Sequence, residues 1–135
     1  MTLKKFFFYW GPVILWCDVI FGFSAIPTLP RVGFIWWDFV LKKSAHMTEY
    51  GILYLLFLRA IARFNFQSIF NFKIINKRIK KIYWVLPFIF GIIYAISDEY
   101  HQSFVPGRTS TVRDVGFDTA GLLLSFWYIK GKLKM

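Results

Sequence analysis

Cysteine and acidic residues are scarce in this sequence, and charged residues of any kind are few. The single cysteine, Cys17, lies inside an apolar run, which excludes an internal disulfide and leaves the redox compartment undetermined. Only 18% of the residues are charged, whereas a soluble domain has about a quarter. Seven Asp and Glu residues stand against 17 Lys and Arg residues, so the formal net charge is +10. This composition is not that of an ordinary soluble domain.

Apolar and aromatic residues take the place of the missing charges. Hydrophobic residues make up 57% of the chain and aromatic residues 22%, more than the core of a single small domain can bury. We therefore predict that much of this surface contacts a lipid bilayer. Excess positive charge is also typical of nucleic-acid-binding proteins. Here, however, the basic residues sit in short runs between long apolar segments, which is the pattern of membrane topology. We predict no nucleic-acid partner.

Four apolar segments are long enough to cross a bilayer, which takes about 20 residues and at least about 17. The predicted spans are residues 6–23, 46–63, 82–99 and 113–129, and the third helix is expected to continue to Gln102. The first span lacks the small-residue cleavage site of a signal peptide, so we expect it to be retained. Residues 64–72 alternate Phe and Ile with Asn and Gln, which favours an interfacial connector. The predicted fold is all-α, an integral membrane four-helix bundle.

Basic residues are unevenly divided between the two predicted sides of the membrane. The side that holds both termini and the middle connector carries no acid and contains Lys4, Lys5, Arg59, Arg63, Lys73, Lys77, Arg78, Lys80, Lys81, Lys130, Lys132 and Lys134. The other side contains Arg31, Lys42, Lys43, Arg108 and Arg113. The cytoplasmic loops of membrane proteins carry the excess of Lys and Arg. We therefore predict a multi-pass protein of the cell membrane with both termini in the cytoplasm.

The acidic residues and histidines gather toward the opposite, extracytoplasmic side. They are Asp18, Asp38, Glu49, Asp98, Glu99, Asp114 and Asp118, with His46 and His101. We expect Asp38 in the first outer connector, and Asp18 facing inward in a paired state. Residues three or four apart share a helix face, so positions 46, 49 and 50, positions 98, 101 and 102, and positions 114 and 118 each form one polar face. Because ionisable groups within a span avoid lipid, we predict that these three faces converge in one outward-facing pocket.

The same residues resemble the pattern of the VanZ-like family. The matching segments are His46-x-x-Glu49-Tyr50-x-x-Leu53 and Asp98-Glu99-x-His101-Gln102-x-Phe104-x-Pro106-Gly107-Arg108, with Phe23-Ser24 before them and Asp114 and Gly121 after them. Members of this family are small bacterial multi-span membrane proteins, and the namesake is associated with reduced susceptibility to the glycopeptide teicoplanin. The resemblance implies one VanZ-like transmembrane domain over residues 1–135. Two positions depart from the family pattern: Lys42 stands where Asp is common, and Asp118 stands where Asn is usual.

The polar residues of the outer boundary are the candidate site. The predicted catalytic residues are His46, Glu49, Tyr50, Asp98, Glu99, His101, Gln102 and Asp114, and the predicted substrate-binding residues are Ser24, Arg108 and Asp118. Either histidine would be the general base, oriented by Asp98 or Glu49. Ser24 or Tyr50 would be the nucleophile or the proton carrier.

Two further features of this site have alternative interpretations. The planar fork of Arg108 suits a phosphate or carboxylate group, but the same side chain could simply pair with Asp114. A metal ion is the minority alternative, with His46, Glu49, Asp98 and His101 as a mixed nitrogen and oxygen ligand set. No characteristic metal-binding spacing supports that set, and the sequence names no cofactor.

Three classes of function fit this arrangement. The favoured hypothesis is hydrolysis or group transfer on a lipid or lipid-linked precursor of the cell envelope, with the bilayer itself as the constant partner. The second is a non-catalytic protein that binds or shields envelope components. The third is a carrier for a small solute or a lipid headgroup, which would need a polar path to the cytoplasmic side. A chain of this size has little internal volume, so a homodimer could complete the pocket under any of the three.

Overall fold

The computed structural model describes residues 3–27, 35–63 and 77–132, and in these ranges the chain forms four helices and no strand. The helices are α1 (Leu3–Ser24), α2 (Ile35–Arg63), α3 (Lys77–Gln102) and α4 (Val112–Lys132). The predicted all-α, four-helix fold is confirmed. The proposed interfacial connector at residues 64–72 lies outside the described residues, as do Arg31 and Lys73.

Helix α2 begins well before the apolar segment from which its span was predicted. Asp38 lies in the first turn of this helix, so its expected place in a connector is wrong. Its carboxylate accepts a hydrogen bond from Lys42 one turn later, at 2.8 Å. An acid near a helix N-terminus and an acid–base pair four residues apart both stabilise a helix. These local interactions extend α2 through a charged stretch that hydropathy alone would leave out.

The core of the bundle lies along α2, which packs against each of the other three helices. Helix α3 contacts α1 and α4 as well, whereas α1 and α4 do not meet within the described part of the chain. The buried apolar side chains are Val13, Ile20, Tyr50, Leu53, Tyr54, Phe57, Ala60, Ile61, Ala95 and Leu122. Six of these ten belong to α2. The central helix is therefore the element that positions the site.

Helices α2 and α4 approach each other closely because glycines stand at their crossing. A Cβ atom added to Gly121 would overlap the backbone of Met47. On the facing helix, a Cβ atom at Gly51 would come within 2.9 Å of the Ser125 hydroxyl oxygen. That hydroxyl donates a hydrogen bond to the Gly51 carbonyl at 2.9 Å. Small residues of this kind let helix backbones pack directly on one another in membranes.

The two ends of the bundle differ in chemistry. Aromatic rings fill one end, where Phe88 lies 4.9 Å from Tyr54 and 5.3 Å from Phe126 between ring centroids. The buried polar side chains collect at the other end: Ser24, Asp98, Glu99, Gln102, Asp114 and Asp118. This polar end contains the C-termini of α1 and α3, the N-terminus of α4 and the first half of α2.

Two stretches of the described helices are long and apolar enough to cross a membrane. They are the whole of α1, with 22 residues, and the segment Ile82–Gln102 of α3. At about 1.5 Å per residue α1 is about 33 Å long, close to the thickness of a bilayer's hydrocarbon core. The outer surface carries many exposed apolar side chains, among them Phe8, Leu15, Ile93, Leu124 and Trp127.

Candidate functional site

One polar cluster joins α2 to α4, and we call it the histidine cluster: Lys43, His46, Glu49, Asp114 and Asp118. The Nδ1 atom of His46 lies 3.5 Å from Oδ1 of Asp118 and 3.9 Å from Oε2 of Glu49. Because His46 and Glu49 are three residues apart in a helix, they project from one face of α2. Asp118 reaches the same imidazole from α4, where it is almost fully buried.

Lys43 completes this cluster one turn before His46. Its Nζ atom lies 2.5 Å from Oδ1 of Asp114, and both side chains are largely buried. The ammonium group also lies 5.9 Å from the ring centroid of Phe39 and 5.6 Å from that of Phe117. A charge-assisted hydrogen bond and two aromatic faces hold the lysine in place. Lys43 was absent from the predicted site, although its position three residues before His46 put it on the same helix face.

A second polar cluster joins α1 to α3, and we call it the serine cluster: Ser24, Asp98, Gln102 and Arg108. The Ser24 hydroxyl donates a hydrogen bond to Oδ2 of Asp98 at 2.9 Å. The Gln102 amide donates to the same carboxylate oxygen at 2.8 Å and to the Ser24 hydroxyl oxygen at 3.2 Å. All three of these side chains are buried. They form a closed network that ties the end of α1 to the end of α3.

Arg108 fastens the loop after α3 to the end of α1. Its guanidinium donates to the carbonyl oxygens of Phe23 at 2.7 Å and Ile26 at 3.1 Å, and to the side-chain oxygen of Gln102 at 3.1 Å. The loop turns back at Gly107, whose φ of 76° is in the left-handed region that glycine tolerates best. The pairing of Arg108 with Asp114 was wrong, because Asp114 pairs with Lys43 instead.

Glu99 supports the start of α4. Its Oε2 atom accepts a hydrogen bond from the backbone N–H of Thr111, the residue before that helix, at 3.2 Å. The first amides of a helix have no partner within the helix, and a carboxylate also matches the positive end of the helix dipole. Glu99 is buried, so its observed contacts are those of a structural cap.

Tyr50 lies between the two clusters and is fully buried, with 0% of its surface exposed. Its ring centroid is 6.2 Å from that of Tyr94 on α3. Both Asp98 and Asp118 are near enough to interact electrostatically with its hydroxyl group. Among the described residues, the Tyr50 hydroxyl, Oδ1 of Asp98 and Oδ2 of Asp118 have no hydrogen-bond partner. These three buried polar atoms come from three different helices.

The structure places His101 and Asp18 differently from what the sequence predicted. The ring of His101 packs on Phe21, with 4.1 Å between centroids, and its buried Nδ1 atom has no hydrogen-bond partner in the described ranges. Asp98, its expected orienting group, binds Ser24 and Gln102 instead, so the His101–Asp98 pair was wrong. Asp18 is exposed, so its inward-facing, paired placement was wrong as well.

The metal alternative finds no support in the arrangement of these side chains. Within residues 3–27, 35–63 and 77–132, no group of three or more His, Cys, Asp or Glu side chains is arranged to hold a metal ion. Of the proposed ligands, His46 and Glu49 lie together, whereas His101 packs against Phe21 and Asp98 belongs to the serine cluster.

Comparison with known proteins gives one family. The family model described as VanZ/LLP1 matches residues 5–133, nearly the whole chain. No curated protein and no solved structure matches the chain. The matched range includes both polar clusters and all four helices except the first two residues of α1. Because this match covers nearly the whole chain, the chain belongs to the VanZ/LLP1 family.

Proposed function

We propose that this protein is a multi-span membrane protein of the bacterial cell envelope that hydrolyses a lipid or lipid-linked substrate. One observation carries the proposal: the imidazole of His46 lies 3.5 Å from the Asp118 carboxylate and 3.9 Å from the Glu49 carboxylate, at the polar end of the bundle. A histidine held by a carboxylate is the usual arrangement of a general base. Ionisable residues within membrane helices are costly and for that reason often functional.

The membrane setting is supported by the outer surface of the bundle. The side chains of Phe8, Leu15, Ile93 and Leu124, on the outer faces of α1, α3 and α4, are more than half exposed among the described residues. Together with the two apolar stretches in α1 and α3, they favour a lipid environment. The basic residues Lys4, Lys5, Lys130 and Lys132 lie at the aromatic end of the bundle, which favours cytoplasmic termini and an extracytoplasmic polar end.

The chemistry follows from which nitrogen of His46 is engaged. When Nδ1–H donates to Asp118, the lone pair of Nε2 is left to accept a proton. Water is the nucleophile in this scheme: His46 takes its proton while the hydroxide attacks the substrate, and His46 later returns the proton to the leaving group. Glu49, on the same helix face, favours the protonated imidazole that forms in between. Asp118 orients the ring throughout.

Group transfer through a covalent intermediate is less well supported. Ser24 is only 1% exposed and its hydroxyl is bound to Asp98 and Gln102. Tyr50 is fully buried. A nucleophile must reach the substrate, and the burial of Ser24 and Tyr50 prevents this. The side chains of His46 and Glu49, by contrast, are 19% and 17% exposed. This difference in access is why we favour water over an enzyme-bound intermediate.

A binding or shielding role is the second candidate, and the serine cluster favours it. Ser24, Asp98, Gln102 and Arg108 bind one another and the backbone, as structural residues do. A carrier function is less favoured, because the opposite end of the bundle is packed with the aromatic rings of Tyr54, Phe88 and Phe126. We also propose that this protein, like the namesake of the family, reduces susceptibility to teicoplanin.

The test is to compare wild type with His46→Gln in two assays. Purified protein is incubated with envelope lipid extracts and the products are followed by mass spectrometry, and teicoplanin susceptibility is measured in a bacterium that expresses each variant. We expect His46→Gln to lower turnover by about 10²-fold or more, the usual contribution of a general base. His101→Gln, the same change at a histidine that contacts no carboxylate of the described residues, should retain far more activity.

Two results would decide against catalysis. A folded, membrane-inserted His46→Gln protein with wild-type turnover would exclude the general-base role. Undiminished teicoplanin protection by that variant, without any lipid product from wild type, would favour the binding role. Asp118→Asn adds a finer measurement, since an amide oxygen can still accept from Nδ1–H and Asn is usual at this position in the family. We expect it to retain more activity than Asp118→Ala.

A further inference from the structure

A shallow groove runs along the outside of the bundle between α1 and α2, with a volume of about 420 Å³. Its wall on α2 is one stripe of the helix, at spacings of three and four residues. It is lined mainly by Trp16, Leu41, Ala45, Thr48, Glu49 and Ile52. These side chains make the groove mostly apolar, with one carboxylate in it. The groove therefore has the character of a site for a chain-like apolar ligand with a polar end.

The carboxylate of Glu49 is the polar group that the groove can offer to a ligand. The hydroxyl of Thr48 donates to the Ser44 carbonyl at 2.8 Å, and that of Ser44, which also lines the groove, donates to the Leu41 carbonyl at 3.0 Å. The indole N–H of Trp16 donates to the backbone oxygen of Glu49 at 2.9 Å. These three donors are thus bound within the protein, while the Glu49 carboxylate has His46, at 3.9 Å, as its one ion-pair partner among the described residues.

The charges behind the groove give it a negative character. Five carboxylates lie in or beside the two clusters: Glu49, Asp98, Glu99, Asp114 and Asp118. Lys43 and Arg108 supply two positive charges and His46 supplies at most a third; Lys43 pairs with Asp114, and Arg108 is bound to carbonyl and amide oxygens. Acids therefore outnumber cations in this low-dielectric region. A positively charged ligand group would relieve the imbalance, whereas a phosphate approaching Glu49 would add to it.

We propose that the groove between α1 and α2 binds a lipid whose headgroup carries an ammonium group, with the ammonium paired to the Glu49 carboxylate and an acyl chain along Leu41, Ala45 and Ile52. The proposal rests on the proposed function and names the class of substrate or lipid that reaches the site. It replaces the expectation that Arg108 receives a phosphate, since the three contacts of that guanidinium lie within the protein. The ammonium group would then lie next to His46, the proposed general base.

Fluorescence of Trp16 provides a direct test in vesicles. Wild-type protein is reconstituted in phosphatidylglycerol vesicles that contain increasing fractions of brominated-chain phosphatidylethanolamine or, separately, brominated-chain phosphatidylglycerol. The difference in emission between wild type and Trp16→Phe isolates quenching at the groove from that of the other tryptophans. We expect brominated phosphatidylethanolamine to quench Trp16 at a fraction about tenfold lower, the effect of one charge-assisted contact.

Variants of Glu49 and Asp38 test which carboxylate causes the preference for phosphatidylethanolamine. Glu49→Gln should abolish the preference, and Glu49→Asp should preserve part of it. Asp38→Asn, which removes the same charge from the same helix at a residue outside the groove, should leave the preference unchanged. Equal quenching by the two lipids in wild type, or an unchanged preference in Glu49→Gln, would overturn the proposal.

A competition measurement needs no variant of Glu49. Dodecylammonium should relieve the quenching of Trp16 in wild-type protein, and dodecyl phosphate should not. Equal competition by the two would also overturn the ammonium assignment. None of these readouts depends on turnover, so loss of the lipid preference with intact His46-dependent activity would remove this inference and leave the proposed function standing.

Discussion

Replacing Gly121 with alanine is expected to separate α2 from α4. The added Cβ atom would overlap the backbone of Met47, and a backbone cannot rotate away as the end of a side chain can. Forcing extra atoms into packed contacts costs about 1–3 kcal/mol, and a backbone contact belongs at the upper end of that range. Alanine recovers about 1 kcal/mol of helix propensity relative to glycine. The expected net loss of unfolding free energy is therefore about 2 kcal/mol.

The same substitution at Gly116 is the matched control, because both glycines belong to α4. Nothing lies within 4 Å of a Cβ atom built at Gly116. There the helix propensity acts alone, so Gly116→Ala should stabilise the protein by up to about 1 kcal/mol. The two variants differ by one methyl group each from wild type, yet their stabilities should differ from each other by about 3 kcal/mol.

The unfolding free energy of both variants is measured by equilibrium unfolding with sodium dodecyl sulfate in mixed micelles, with circular dichroism as the readout. Gly121→Ala should also impair the function of the site, since Asp118 lies one turn from Gly121 and His46 lies beside Met47. If Gly121→Ala were as stable as Gly116→Ala, the close crossing of α2 and α4 would be refuted. The distance from His46 to Asp118, which depends on that crossing, would then lose its support.

Three further predictions concern the polar end. Lys43→Met leaves the buried Asp114 carboxylate without its cation, so it should lower the unfolding free energy by about 2–3 kcal/mol in the same assay. Lys42→Met is the control: it breaks an exposed pair and should change the unfolding free energy by less than about 0.5 kcal/mol. Arg108→Gln should lower the stability by about 2 kcal/mol, and Arg108→Lys should recover only part, because an ammonium cannot reproduce the planar fork. Ser24 should resist a fluorophosphonate probe under conditions in which wild-type protein is active; stoichiometric labelling would restore it as a nucleophile.

Hydropathy was enough to predict the number and order of the helices, because each apolar segment is long and separated from the next by charged residues. The start of α2 was missed for a physical reason. Asp38 and Lys42 stabilise a helical turn through their own pairing, so the helix continues into a charged stretch. A scale that averages apolarity over a window cannot register that pair, although its spacing of four residues was visible.

Contacts within one helix could be predicted, and contacts between helices could not. The spacing of His46 and Glu49, and that of Asp98 and Gln102, correctly put each pair on one face. The partner across the bundle depends on how each helix is rotated about its axis, which the close approach at Gly121 determines. For that reason the link from His46 to Asp118 had to come from the structure.

Depth within the bundle separates structural residues from those that can meet a substrate. Ser24 has its hydroxyl occupied on both the donor and the acceptor side, and Tyr50 is fully buried. Neither can approach a lipid without opening the bundle. His46 and Glu49 retain exposed surface, and Glu49 faces a groove on the outside of α2. If the proposed function holds, a substrate dissolved in the bilayer would arrive from the side and meet these two residues first, while the hydrogen bonds of the serine cluster hold the ends of α1 and α3 together.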